Sequence, residues 1–153
     1  MAAEMSGVGL NLVYTSLYLQ GALPLAYAFA ATGAVALGYA CWQRNLQAET
    51  TLHVFYLAMA GYGTWLAGSS TWSSDMHSGM THLLAVVLSG AAWWIAVPWL
   101  TKRGSSMPHL DAFTTVFSVA GTWWMIHGDP VNWIYWMVID AVSIYLYAKR
   151  GMP

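Results

Sequence analysis

The chain has 153 residues, 58% apolar and only 7% charged, with a formal net charge of −1 and a mean hydropathy of +0.50. A soluble domain carries about 25% charged residues, so this composition excludes an ordinary soluble enzyme and predicts an all-α, polytopic membrane protein. Without a basic run there is no basis for a nucleic-acid partner, and the single Cys41 excludes an internal disulfide.

Six apolar segments follow in chain order, roughly 7–20, 24–42, 50–67, 81–100, 109–126 and 131–148. The last five have 18 to 20 residues, near the ~20 that cross a bilayer as helix. The first is short and reads as tilted, interfacial or frayed. No basic residue precedes Arg44, so no cleavable signal peptide is expected. Gly21 and Pro24 break the first pair, a polar loop covers 68–79, and Gly128-Asp129-Pro130 makes a tight turn. Arg44, Lys102, Arg103, Lys149 and Arg150 all follow the even-numbered segments. In an alternating path those ends share one face, which the positive-inside tendency makes cytoplasmic, together with both termini. The 69–80 loop, with Asp75 and His77, and the 127–130 turn then face outside.

The sixth segment holds the most informative residues. On a helix Asn132, Trp136, Asp140, Ser143 and Tyr147 fall on one stripe, with Trp133 beside Trp136. A carboxylate near mid-membrane costs roughly 2.5–3.5 kcal/mol, so such a stripe faces a wet cavity or a bundle interior. Two indoles beside an amide and a carboxylate suit a planar, polar, even cationic ligand. The other reading is a polar helix-helix contact with interfacial Trp. In segment five Asp111, Thr115, Ser118 and Thr122 form a second stripe, whose hydroxyls face a ligand or bond the i−4 carbonyl or a neighbouring helix.

Other polar residues have two readings each. Asp111 and Glu49 sit at helix starts, where a carboxylate complements the dipole. His53 lies one turn into segment three beside Tyr56 and bonds either a ligand or a neighbouring helix. His77 and His82 are too far round a helix to share a metal face, and His109 and His127 lie near interfaces, so no metal site is expected. Trp42, Trp65, Trp72, Trp93, Trp94, Trp99, Trp123 and Trp124 read mostly as an interfacial belt. No catalytic triad, HExxH or phosphate loop appears, so neither enzyme activity nor a cofactor is expected.

A weak repeat shows at an offset of 106, pairing Pro24 with Pro130, Arg44 with Arg150, Tyr27 with Trp133 and Tyr39 with Tyr145. Read as a transporter repeat, 7–67 is the first three-helix copy, 81–100 a linker helix and 109–148 an incomplete second copy. Its third helix would begin near 156. That helix is then either lacking or supplied by a second copy or partner subunit.

Asn132-Trp133-x-x-Trp136-x-x-x-Asp140 followed by Leu146-Tyr147-Ala148-Lys149-Arg150-Gly151 resembles the signature near the end of the PnuC nicotinamide riboside transporters. Leu110-Asp111-Ala112-Phe113-Thr114-Thr115 resembles that family's preceding helix, and the run from Phe55 to Gly63 its third. The resemblance covers 24–67 and 107–151. It implies a bundle related to the SWEET sugar transporters, in a bacterial cytoplasmic membrane, moving a vitamin B3 nucleoside or similar solute by facilitated diffusion. In that reading Trp133 and Trp136 stack the ring, and Asn132 and His53 read polar edges. Thr115, Ser118 and Thr122 touch the sugar, while Asp140 attracts a pyridinium or locks helix six to helix five. The chain departs from the pattern in four places: His53 stands where members often have Gln, Gln20–Pro24 replaces an Asn/Trp-rich approach, the 127–130 turn lacks basic residues, and the seventh helix is absent. The alternative is a non-transporting, truncated paralogue or an accessory subunit of a larger membrane complex.

Overall fold

The computed structural model describes residues 2–69 and 76–150, with side chains from residue 5 onward. Its elements are all helices: α1 (Ala2–Leu19), α2 (Leu23–Gln43), α3 (Gln47–Ala67), α4 (Gly79–Lys102), α5 (Pro108–Ile126) and α6 (Asn132–Lys149). The six apolar segments therefore correspond to six helices. The first is not short: α1 has 18 residues and starts five before the apolar run. Ala, Glu and Met are strong helix formers, so the helix continues where the hydropathy does not. Asp75 and Trp72 lie outside the described residues.

Backbone chemistry at the turns explains where the helices stop. Gly21, Gly104 and Gly128 adopt φ of +74°, +81° and +70°, and Asn45 adopts 58°. In each turn the next residue donates its N–H to the carbonyl five back: Ala22 to Leu17, Leu46 to Cys41, Ser105 to Leu100 and Asp129 to Trp124. The left-handed residue itself donates to the carbonyl three back, completing a Schellman motif each time. Pro24 and Pro108 stand in the first turns of α2 and α5, where a missing N–H costs nothing.

Both α2 and α4 are long and apolar enough to cross a membrane. The 24 residues of α4 span about 36 Å. This helix exposes Leu83, Leu84, Val87, Leu88, Trp94 and Ile95. Water would not tolerate so continuous an apolar surface, and lipid does.

The helices group into two compact units, residues 1–73 and 74–153. In the first, α2 packs against both α1 and α3; in the second, α5 packs against both α4 and α6. The 106-residue offset carries α1 onto 108–125, against Pro108–Ile126 for α5, and α2 onto 129–149, against Asn132–Lys149 for α6. The expected linker, α4, is part of the second unit and packs on α5.

Close approach in the first unit depends on glycine. The Tyr27 ring of α2 lies on Gly63 of α3, where an added Cβ would come within 2.7 Å of Tyr27 Cζ. Tyr27 is 2% exposed, so its ring has nowhere to go. Gly63→Ala is therefore expected to destabilise the unit by about 1–3 kcal/mol, the usual cost of overpacking. A thermal melt of the purified protein in detergent would show it, and an unchanged melting temperature would refute the packing argument.

Candidate ligand site and the bonds that support it

The seam between α5 and α6 is set by Asn132, Ile139 and Leu146, buried at 1%, 3% and 1% exposure. Their seven-residue spacing is a heptad, the repeat that keeps one face of a helix against its neighbour. The indole of Trp136 rests on Gly121 of α5, whose added Cβ would stand 3.5 Å from Trp136 Cε2 and Nε1. Ser118 and Thr122 flank Gly121 and are buried, while Thr115 and Trp133 are half-buried. Asn132, Trp136, Ser118 and Thr122 thus belong to one seam region in the second unit, with Trp133 half-buried one residue off it. The first unit contains His53, with a ring centroid 5.6 Å from Tyr56 and Nδ1 buried without a hydrogen-bond partner.

Two of the readings of these residues change on inspection. The Thr122 hydroxyl donates to the Ser118 carbonyl at 2.7 Å, the i−4 alternative. Asp140 is exposed and forms no hydrogen bond or ion pair with α5 among the described residues. It follows Ile139 by one residue, a turn of about 100° that carries it off the seam. Only the start of the predicted stripe is buried, because the seam runs along the heptad and the stripe rotates away from it.

Locking of α5 to α6 is done elsewhere. Arg150, just past α6, donates from Nη2 to Asp111 Oδ2 at 2.6 Å, with the two side chains 12% and 4% exposed. Ser105 in the α4–α5 turn donates its hydroxyl to the same oxygen at 2.5 Å, and Met107 N–H donates to Ser105 Oγ at 3.2 Å. Asp111 does sit in the first turn of α5, but its carboxylate ties three parts of the unit together.

At the opposite end is a cluster that sequence reasoning missed. Asp129, in the α5–α6 turn, is fully buried. Its Oδ2 accepts the His77 N–H at 2.8 Å and lies 2.9 Å from His77 Nδ1 and 3.2 Å from His82 Nε2. Its Oδ1 accepts the Val131 N–H at 2.9 Å. The indole of Trp124 lies beside both imidazoles, at 4.9 and 4.7 Å between ring centroids. Trp124 is therefore a core residue at 5% exposure and not part of an interfacial belt. Burial would raise the Asp129 carboxyl, but the two backbone N–H groups and the His77 and His82 rings outweigh it and hold the group below its ordinary 3.8. The histidines do share a partner, which is a carboxylate 52 and 47 residues away. A buried carboxylate needs donors, and an Asp in a turn beside two otherwise unexplained histidines was the available signal. No group of three or more metal-ligating side chains able to hold an ion occurs among the described residues.

Asn132 links this cluster to the seam. Its Nδ2 donates to the Asp129 carbonyl at 2.5 Å and its backbone N–H to the same oxygen at 3.1 Å. Its Oδ1 is buried and has no hydrogen-bond partner. An unsatisfied buried acceptor is thus left on α6 one turn before Trp136.

Apolar helices with polar residues gathered on internal seams define a polytopic integral membrane protein. The chain belongs to the nicotinamide mononucleotide transporter family, whose sequence profile matches residues 1–153. It is 33% identical over 66 residues to the nicotinamide riboside transporter PnuC of Neisseria mucosa, a stretch covering 43% of this chain and 25% of that protein. The crystal structure of the vitamin B3 transporter PnuC shares its fold, with a TM-score of 0.78 at 20% identity over 95% of this chain and 66% of that one. The chain thus spans a quarter to about two thirds of these relatives.

Proposed function

We propose that the protein moves nicotinamide riboside, or a closely similar vitamin-like nucleoside, across a bacterial cytoplasmic membrane by facilitated diffusion. The observation that carries this reading is the Asn132–Trp136 pair on the α5–α6 seam with Trp133 beside it, an orphan amide oxygen one turn from an indole seated on Gly121. The indoles stack the nicotinamide ring and Asn132 reads its amide. Thr115, Ser118 and Thr122 lie on the sugar side. Asp140, an exposed carboxylate on an apolar helix, attracts the pyridinium from a wet passage.

Stacking of a base on an aromatic side chain is worth about 1–3 kcal/mol. Trp133→Ala and Trp136→Ala are each expected to weaken nicotinamide riboside binding accordingly, measured by quenching of intrinsic fluorescence in the purified protein. Wild-type affinity in both variants would refute the site.

We further place Lys102, Arg103 and the C-terminus in the cytoplasm, on the strength of the five basic residues at or just past the ends of α2, α4 and α6. Reporter fusions at the C-terminus check this, and an external C-terminus would refute it. A second copy or a partner subunit covers the polar surface around Asp140 wherever it would otherwise meet lipid.

A further inference from the structure

The Asp129 cluster is larger than a turn requires. Closing the turn needs only the Gly128 conformation and the Asp129 N–H bond to Trp124. Yet the side chain of Asp129 reaches back to the entry of α4 and gathers His77 and His82, while its carbonyl receives both nitrogens of Asn132. Whatever holds the carboxylate also sets the direction of that carbonyl, and so of the Asn132 amide.

We propose that Asp129, held by His77 and His82, is a positioning residue for the Asn132 side chain, and that protonation of the two histidines tightens its hold. This rests on the assignment of Asn132 to the ligand site. A neutral imidazole offers one N–H, which His77 Nδ1 and His82 Nε2 both direct at Oδ2. An imidazolium makes the same bond charge-assisted, shorter and roughly twice as strong. The second proton on His82 goes to Nδ1, which lies 3.4 Å from the Tyr135 hydroxyl, an oxygen able to accept it. His77 is 38% exposed on its side chain and so exchanges protons with solvent. Among the described residues Tyr135 of α6 is the other titratable group facing the cluster, while His127 in the same turn lies on Trp123, with ring centroids 4.3 Å apart. At the entry of α4 the hydroxyls of Ser78 and Thr81 are bonded to each other at 2.8 Å.

The test uses full-length protein in nanodiscs between about pH 5 and 8, the range in which histidine changes charge. Nicotinamide riboside carries a fixed pyridinium charge there, so any pH dependence belongs to the protein. Wild-type affinity is expected to be roughly three- to tenfold tighter at the acid end, about the worth of one hydrogen bond. The double variant H77Q/H82Q keeps an N–H donor at each position and should be flat across the range. N132A should be flat as well as weak. A pH dependence that survives in either variant overturns the proposal. So does weaker binding in acid. If N132A binds as tightly as wild type, the ligand-site reading fails and the positioning is judged without ligand. The ¹⁵N resonance of the Asn132 amide should then titrate in wild type and not in H77Q/H82Q, and a flat wild-type resonance overturns it.

Discussion

Asp111→Asn is expected to destabilise the α4–α5–α6 unit by about 3–5 kcal/mol, because it leaves the Arg150 guanidinium without its countercharge at a largely buried site. The pair sits where the end of α6 meets the start of α5, and Ser105 brings the α4–α5 turn onto the same carboxylate oxygen. Removing the charge therefore loosens three elements together. Desolvating two ions is itself costly, so the pair contributes more to fixing the register of α5 and α6 than to net stability. The double variant D111N/R150M removes both charges and should recover a large part of the loss. Denaturant or thermal unfolding of the four proteins gives the coupling directly. A single variant within about 1 kcal/mol of wild type would mean that the pair is solvated and unimportant.

Asp129→Ala should be similarly damaging, for a different reason. It removes the acceptor for the N–H groups of His77 and Val131 and for two imidazoles, and each donor left buried and unsatisfied costs about 1–3 kcal/mol. The entry of α4 then loses its attachment to the α5–α6 turn. The carboxyl is held below its ordinary 3.8, so its stabilisation is complete above that value and is lost as pH falls through the lowered one. Wild type is therefore expected to lose stability below about pH 4 more steeply than D129N, whose amide does not titrate. Melting temperatures from neutral pH downwards test this, and parallel curves for the two proteins would refute the assignment.

The family resemblance in the sequence held over the whole chain, since the motifs around Asn132–Asp140, Leu110–Thr115 and Phe55–Gly63 lie in a chain matched from end to end. The internal arrangement of those motifs was less legible. Asn132, Trp136 and Asp140 share a stripe on paper, yet the helix buries Asn132 and leaves Asp140 exposed. Polarity marked the stripe, whereas burial followed the heptad through Ile139 and Leu146, where apolar volume fills the groove against α5.

The solvent of this protein, its six helices and most of their ends were determined by sequence alone. Hydropathy and turn chemistry are local, and a bilayer sets one length for every crossing segment. Which acid meets which base was decided only by the tertiary structure. Asp111 looked like a helix-start carboxylate and Asp129 like a turn residue, but their partners lie 39, 47 and 52 residues away. A buried charge takes whatever donor the packed helices bring within about 3 Å, and no spacing along the chain encodes that distance.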